Sequence, residues 1–349
     1  MKKILIIGAG AMGSAFTVPC VDNHNTVVLI GTHLENEVID KIIGNNYLHP
    51  SLQCKLPNNL KIQKFKNFSE EFKKKPDLIV IAVSSKGIDW VGNEISKHYS
   101  EEIPILLITK GLAVVNKQFV TLPEKLKKIF KKNGFNKTNI SAVKGPCLAA
   151  GLANKMRTSA VLANTNISMA KSLGKLIATS YYSTEFSKDI IGVEVCAAIK
   201  NIYSMIIGAS KGLSNPSASS EIKNKHYLNT AASLIHRSIS EMVYFTNFLK
   251  GKEETVYGLA GLGDLYVSAI GGRNSRMGKY LGEGYRYEKA KNEFMPNDTV
   301  EGADLALELG PKILKDFKKK KIPLMISLIS AICKNKKLEI NWQIIYDNK

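Results

Sequence analysis

The chain opens with an apolar run that stops at a glycine. Ile4-Leu5-Ile6-Ile7 leads straight into Gly8-Ala9-Gly10-Ala11-Met12-Gly13, so Gly8, Gly10 and Gly13 carry the G-x-G-x-x-G spacing. That order reads as a buried strand, a tight turn and a helix start. Gly8 permits the sharp turn. A side chain at Gly10 would hold a pyrophosphate away from the backbone. Gly13 lets the helix lie close on the sheet. The helix N-terminus, from Ala11 and Met12 on, offers N–H groups to phosphates. The motif sits before a helix-compatible stretch, Met12–Val21, which is the context a dinucleotide-binding turn requires. The competing reading is a plain glycine turn in some other α/β protein.

Further strands follow. Thr26–Ile30 reads as the second strand, Leu78–Val83 and Ile105–Thr109 carry apolar runs of the kind central parallel strands show, and Ile140–Val143, Ala160–Leu162 and Tyr181–Ser183 are shorter candidates. Alternation with helical stretches predicts a doubly wound sheet with right-handed crossovers. From about Gly192 the texture changes to helical patterns over Gly192–Ser210, Asn229–Lys250 and Thr255–Ile270. The expected fold class is therefore α/β: an N-terminal Rossmann-type domain over 1–190, then an all-α domain over 191–349.

Composition narrows the function. Apolar residues make up 44% and charged residues 23% of the 349, ordinary for a soluble globular protein of one or two domains. The N-terminal apolar run is too short for a signal peptide, and no uninterrupted apolar run reaches membrane-spanning length. Cys20, Cys54, Cys147, Cys196 and Cys333 are odd in number and scattered. They predict reduced thiols in a cytoplasmic protein, without a disulfide framework or a metal site. The net charge of +19 resides in lysine tracts such as Lys73-Lys74-Lys75 and Lys318–Lys321, with no interleaved aromatics. This favours a solvated lysine surface over a nucleic-acid footprint, and the positive field suits small anionic substrates.

Polar residues stand where the pattern expects core. Val193–Ile207 is apolar nearly all round, yet Lys200 and Asn201 sit in its middle. Lys200 is either a snorkelling lysine at a helix edge or a proton-transfer group facing a cleft. Lys110 directly follows a buried strand, at the sheet end where ligands bind in open α/β folds; the alternative is an exposed loop lysine. Asp264 opens a helix-compatible segment, as an N-cap or as a site residue. Ser268 follows it. Gly271-Gly272-Arg273-Asn274 places flexible backbone beside a guanidinium and an amide, a set that suits a phosphate or a structural turn.

In this order the pieces resemble the NAD(P)-dependent glycerol-3-phosphate dehydrogenase family. The glycine turn, Asn46-Tyr47-Leu48-His49-Pro50, Thr109-Lys110-Gly111-Leu112, Gly145-Pro146, Asp189–Glu194, Ala198-Ile199-Lys200-Asn201, Gly261-Leu262-Gly263-Asp264-Leu265, Gly271-Gly272-Arg273-Asn274 and Val300-Glu301-Gly302 carry the likeness. It covers roughly residues 1–310. The resemblance implies reversible reduction of dihydroxyacetone phosphate to glycerol 3-phosphate, for glycerophospholipid synthesis, with NAD or NADP. It implies Lys200 as proton donor, Asp264 as its partner and Lys110 as the group steadying the alkoxide and touching the cofactor. Arg273, Asn274, Ser268, Gly272 and Asn201 would hold the substrate. Glu301 and Arg273 would reach the cofactor, with Gly8, Gly10, Ala11, Met12, Gly13, Thr32, His33 and Ser84. Hydride transfer builds charge on oxygen, which two lysines and a carboxylate can answer without a metal.

The chain departs from the family at Lys144, where a small residue is usual, and at Ser84-Ser85-Lys86, where many bacterial members carry proline and glutamine. Gly31-Thr32-His33 places neither an acid nor an arginine at the end of strand two; Glu35 comes later, and Thr32 and His33 could accept a phosphate. Alternative readings are a paralogue acting on another small phosphorylated ketone or aldehyde, a β-hydroxyacid dehydrogenase, and a basic nucleotide sensor without catalysis. A homodimer is compatible with each enzyme reading.

Overall fold

Strand β1 (Lys3–Ile7) alternates its side chains between two cores. Ile4 and Ile6 pack with Phe16, Val27 and Leu29 on one face, while Leu5 and Ile7 pack with Phe68, Phe72, Ile88 and Val91 on the other. A strand buried on both sides belongs in the middle of a sheet covered by helices. It pairs in parallel with β2 (Thr26–Ile30), Ile4 facing Val27, and with the strand Leu78–Ile81 (here β4), Ile4 facing Leu78. With β3 (Lys61–Gln63), β5 (Ile105–Leu107), β6 (Ile140–Lys144), β7 (Thr158–Ala163) and β8 (Tyr182–Ser187), the order is 3-2-1-4-5-6-7-8. Within this sheet, among the described residues, only the β6–β7 pair is antiparallel. The strand order reverses between β1 and β4, which makes the carboxyl ends of these two strands the topological switch point.

The computed structural model describes residues 1–214, 217 and 219–343, in two compact units: Met1–Lys110 with Val120–Ile190, and Gly111–Phe119 with Ile191 onward. Residues 215, 216, 218 and 344–349, all within the span expected to be helical, lie outside the described residues. The excursion Gly111–Phe119 escaped the sequence reading. It includes a strand, Leu112–Val115, and Leu112 is buried in the core of the second unit.

The second unit is organised around the helix Ile190–Gly208, in which every residue from Gly192 to Ile207 is buried. By length and composition this helix could cross a membrane, which the sequence reading did not allow for; here it is the core of a helical bundle. Its neighbours include the helices Leu228–Phe248, Arg273–Gly282, Glu301–Asp316 and Pro323–Cys333. Glycines set one of these contacts at backbone level. A Cβ on Gly278 would lie 1.9 Å from the Met205 carbonyl oxygen, one on Gly282 2.2 Å from that of Ala209, and one on Gly208 2.2 Å from that of Ser275. The helix Arg273–Gly282 is thereby seated on the central helix, which fixes its first turn relative to Lys200 and Asn201. The helix expected over Thr255–Ile270 is broken. Glu253–Tyr257 and Asp264–Ile270 are joined by a π-helical turn, Leu259–Gly263, in which a Cβ on Gly261 would meet the Val256 carbonyl at 2.1 Å. Such turns re-aim the residues that follow, and Asp264 is the first of them.

Candidate active site

In the first unit, the glycine turn lies at the switch point. Gly8 has φ +112°, and a Cβ there would come within 2.8 Å of the Ala82 backbone just beyond β4. A Cβ on Gly13 would come within 2.1 Å of the Gly8 carbonyl. Both positions require glycine. Gly10 differs: within 4 Å its Cβ would meet only a Glu35 carboxylate oxygen, at 3.7 Å. Two glycines close the turn and one leaves bare backbone facing outward at the start of the helix Ala11–Asp22. That cradle, with its helix N-terminus, fits a pyrophosphate.

Ala9, between the glycines, is held from both sides. Its N–H donates to Glu35 Oε2 at 3.0 Å; its carbonyl accepts from Ser14 Oγ and from His49 Nε2, each at 3.2 Å. His49 is buried, and its Nδ1 accepts from the N–H groups of Ser51 and Leu52. This network assigns the neutral tautomer with the proton on Nε2, and burial holds its pKa below the usual histidine range. Neither Glu35 nor His49 was singled out as a site residue from the sequence. His49 lay in a motif without a stated role. Glu35 stands just before the helix Asn36–Gly44, and its carboxylate folds back to the turn rather than capping that helix, a path that spacing does not reveal.

Of the other expected cofactor residues, Thr32 gives its N–H to Glu35 Oε2 at 2.7 Å. The exposed His33 ring packs on Trp90 at 4.8 Å between centroids. Ser84 is exposed just past β4. Lys110 is half-buried, and its Nζ donates to the Gly145 carbonyl at 3.3 Å. Lys144 is buried and donates to the Leu107 carbonyl at 2.9 Å, tying the end of β6 to the end of β5. Its long stem makes a brace under the strand end that leads to Lys110.

In the second unit, the polar residues of the apolar helix find one another. Lys200 is 6% exposed and Asp264 1%. Lys200 Nζ donates to Asp264 Oδ1 at 2.8 Å and to Ser268 Oγ. A buried ammonium without a counter-charge is costly, and Asp264 supplies that charge. The snorkelling reading of Lys200 does not hold, because its head is buried with its stem. Asn201, the next residue, accepts at Oδ1 from Asn274 Nδ2 at 3.0 Å. Asn274 also reaches Glu301 Oε2 at 3.5 Å and accepts from the Gly302 N–H at 2.9 Å. Gly302 packs against the Asn201 carbonyl, 2.5 Å from where its Cβ would be. The Arg273 guanidinium, half-exposed, pairs with the Glu301 carboxylate. Gly272 precedes it with φ +108° and open space around it. The result is a buried lysine–aspartate pair beside an amide network, with an exposed arginine at a helix N-terminus. Among the described residues no cluster of metal-ligating side chains occurs.

A family model described as the NAD-dependent glycerol-3-phosphate dehydrogenase N-terminus matches residues 3–170, and its C-terminal counterpart matches residues 189–342. The NADP(+)-dependent glycerol-3-phosphate dehydrogenase of Archaeoglobus fulgidus is 33% identical over 320 residues, covering 90% of this chain and 92% of that protein. Glycerol-3-phosphate dehydrogenase [NAD(P)+] of Mycoplasma mobile is 30% identical, covering 97% of this chain and 94% of the relative. The crystal structure of glycerol-3-phosphate dehydrogenase from Coxiella burnetii matches with a TM-score of 0.80 at 25% identity, covering 99% and 97% of the two chains.

Proposed function

The chain belongs to the NAD-dependent glycerol-3-phosphate dehydrogenase family, and from that membership we infer that it interconverts dihydroxyacetone phosphate and glycerol 3-phosphate with NAD(P)H. The observation that carries the reading to particular residues is the buried Lys200–Asp264 pair in an otherwise apolar helix. Bound nicotinamide supplies or accepts the hydride. Lys200 gives a proton to the substrate oxygen as negative charge develops there, and takes it back in the oxidative direction. Such a general acid contributes roughly 10²–10⁴-fold. Asp264 and Ser268 aim its Nζ. Lys110 steadies the developing alkoxide.

Arg273 and the backbone from Gly272 on take the phosphate. The guanidinium offers a fork of donors, and the helix N-terminus adds N–H groups. The Glu301 carboxylate that now pairs with Arg273 is displaced or shared when a dianion arrives, which leaves it available to the cofactor. The Asn274 amide is already committed on both sides, to Asn201 and Glu301 and to Gly302. Its role is to brace Asn201 and Glu301. The five cysteines are all free thiols, which supports a cytoplasmic enzyme.

The test is oxidation of NADH and NADPH, followed by absorbance, on adding dihydroxyacetone phosphate to the purified protein. Rapid oxidation is expected. Binding of nucleotide without oxidation would move the activity to another phosphorylated carbonyl.

A further inference from the structure

The Glu35 carboxylate is held by two backbone donors from different loops. Its Oε2 accepts from Ala9 in the glycine turn and from Thr32 at the end of β2. Its Oε1 lies over the outward face of Gly10, the one glycine of the turn with open backbone. An anionic acceptor therefore stands at the edge of the cradle, on the β2 side. In a doubly wound sheet of this strand order, the adenosine half of a dinucleotide lies on that side, and an acid there meets its ribose.

The two residues that sequence offered to a phosphate each make a contact within the chain. Thr32 has given its N–H to Glu35, and its hydroxyl accepts from Leu34 at 3.4 Å. The His33 ring packs against Trp90 and, at 6.3 Å, Phe65.

We propose that Glu35 reads the adenosine ribose: Oε1 accepts the ribose hydroxyls, and its charge opposes a phosphate ester at the 2′ position. The enzyme then discriminates in favour of NAD(H) over NADP(H). The chemistry is one-sided. A ribose hydroxyl is a donor that an ionised carboxylate can accept, whereas a phosphate ester offers acceptors and about two negative charges. The carboxylate facing it would lose its donors and meet like charge. The proposal rests on the dehydrogenase reading only in taking a nicotinamide dinucleotide as the ligand.

Fluorescence titration with NADH and with NADPH tests this without turnover, on the wild-type protein and on Glu35→Gln. The amide oxygen of glutamine still accepts from Ala9 and Thr32, so the turn keeps its shape, and a thermal melt checks that it does. The wild type is expected to bind NADH about tenfold or more tightly than NADPH, and Glu35→Gln to narrow that ratio by about tenfold. Equal affinities in the wild type, or an unchanged ratio in Glu35→Gln, would overturn the assignment. Discrimination in the titrations without any reduction of dihydroxyacetone phosphate would leave Glu35 standing and remove the substrate reading. Rapid reduction of that substrate with tighter binding of NADPH would do the reverse.

Discussion

Asp264→Asn removes a charge from the buried pair and keeps a hydrogen-bond acceptor. Lys200 Nζ lies 2.8 Å from Asp264 Oδ1, with both side chains shielded from water. Removing one partner of such a pair typically costs about 3–5 kcal/mol, because the remaining charge is left without compensation. Lys200→Met should cost a similar amount by stranding the carboxylate. The double substitution removes both charges and fills most of the lysine volume. Its cost should fall short of the sum of the singles by about 2–3 kcal/mol, the upper part of the range for residues in direct contact. Urea unfolding of the three variants measures this, provided the m-value stays constant. Turnover supplies the second reading. Asp264→Asn and Lys200→Met should each lose about 10²–10⁴-fold in kcat while binding nucleotide normally. Additive costs below about 1 kcal/mol would mean that water screens the pair. Asp264 would then not be the group that makes a buried ammonium tolerable, and the proton-transfer role of Lys200 would lose its physical basis.

Arg273→Ala should raise KM for dihydroxyacetone phosphate about tenfold or more, from loss of a charged hydrogen bond of about 1.5–3 kcal/mol, with a smaller effect on kcat; an unchanged KM would place the phosphate elsewhere. Gly278→Ala drives a methyl group to 1.9 Å from the Met205 carbonyl. It should destabilise by about 1–3 kcal/mol and lower activity by displacing Arg273 and Asn274; a variant of normal stability would show that the helix contact is slack. Glu241 is buried, accepts from the N–H groups of Leu324 and Met325, and has its pKa raised by burial to about 7 from an ordinary 4.5. Between those values the folded state holds a proton that the unfolded chain releases. Stability should therefore fall by roughly 3 kcal/mol as pH rises from about 4.5 to about 7, then level off. Glu241→Gln should flatten that slope in denaturant titrations across the window, and a slope that persists would assign it to other groups.

The parts of the fold that the sequence made legible are those where one local rule suffices. Val27–Ile30 and Leu78–Ile81 are short apolar runs buried on both faces, and composition alone marks them. The excursion Gly111–Phe119 obeys no such rule. Its placement depends on Leu112 joining a core built from residues far along the chain. The broken helix before Asp264 is similar. The stretch has helical periodicity, and only the approach of Gly261 to the Val256 backbone forces the π-helical turn.

At the candidate site the same division separates what kind of residue from what partner. Lys200 and Asn201 announced themselves by breaking an apolar helix, since a polar group in such a place requires compensation. The sequence could not say that Asn201 would be met by Asn274 rather than by a ligand. That pairing depends on Gly278 and Gly282 seating a second helix against the Met205 and Ala209 carbonyls. The glycines that matter for the substrate end are thus not those of the visible Gly271-Gly272 turn but two inside the following helix. In the helix interior Gly278 costs about 1 kcal/mol relative to alanine, while Gly282 closes the helix. Their presence there follows from the close approach they permit, and that approach carries Arg273 and Asn274 to the side of Lys200 and Asn201.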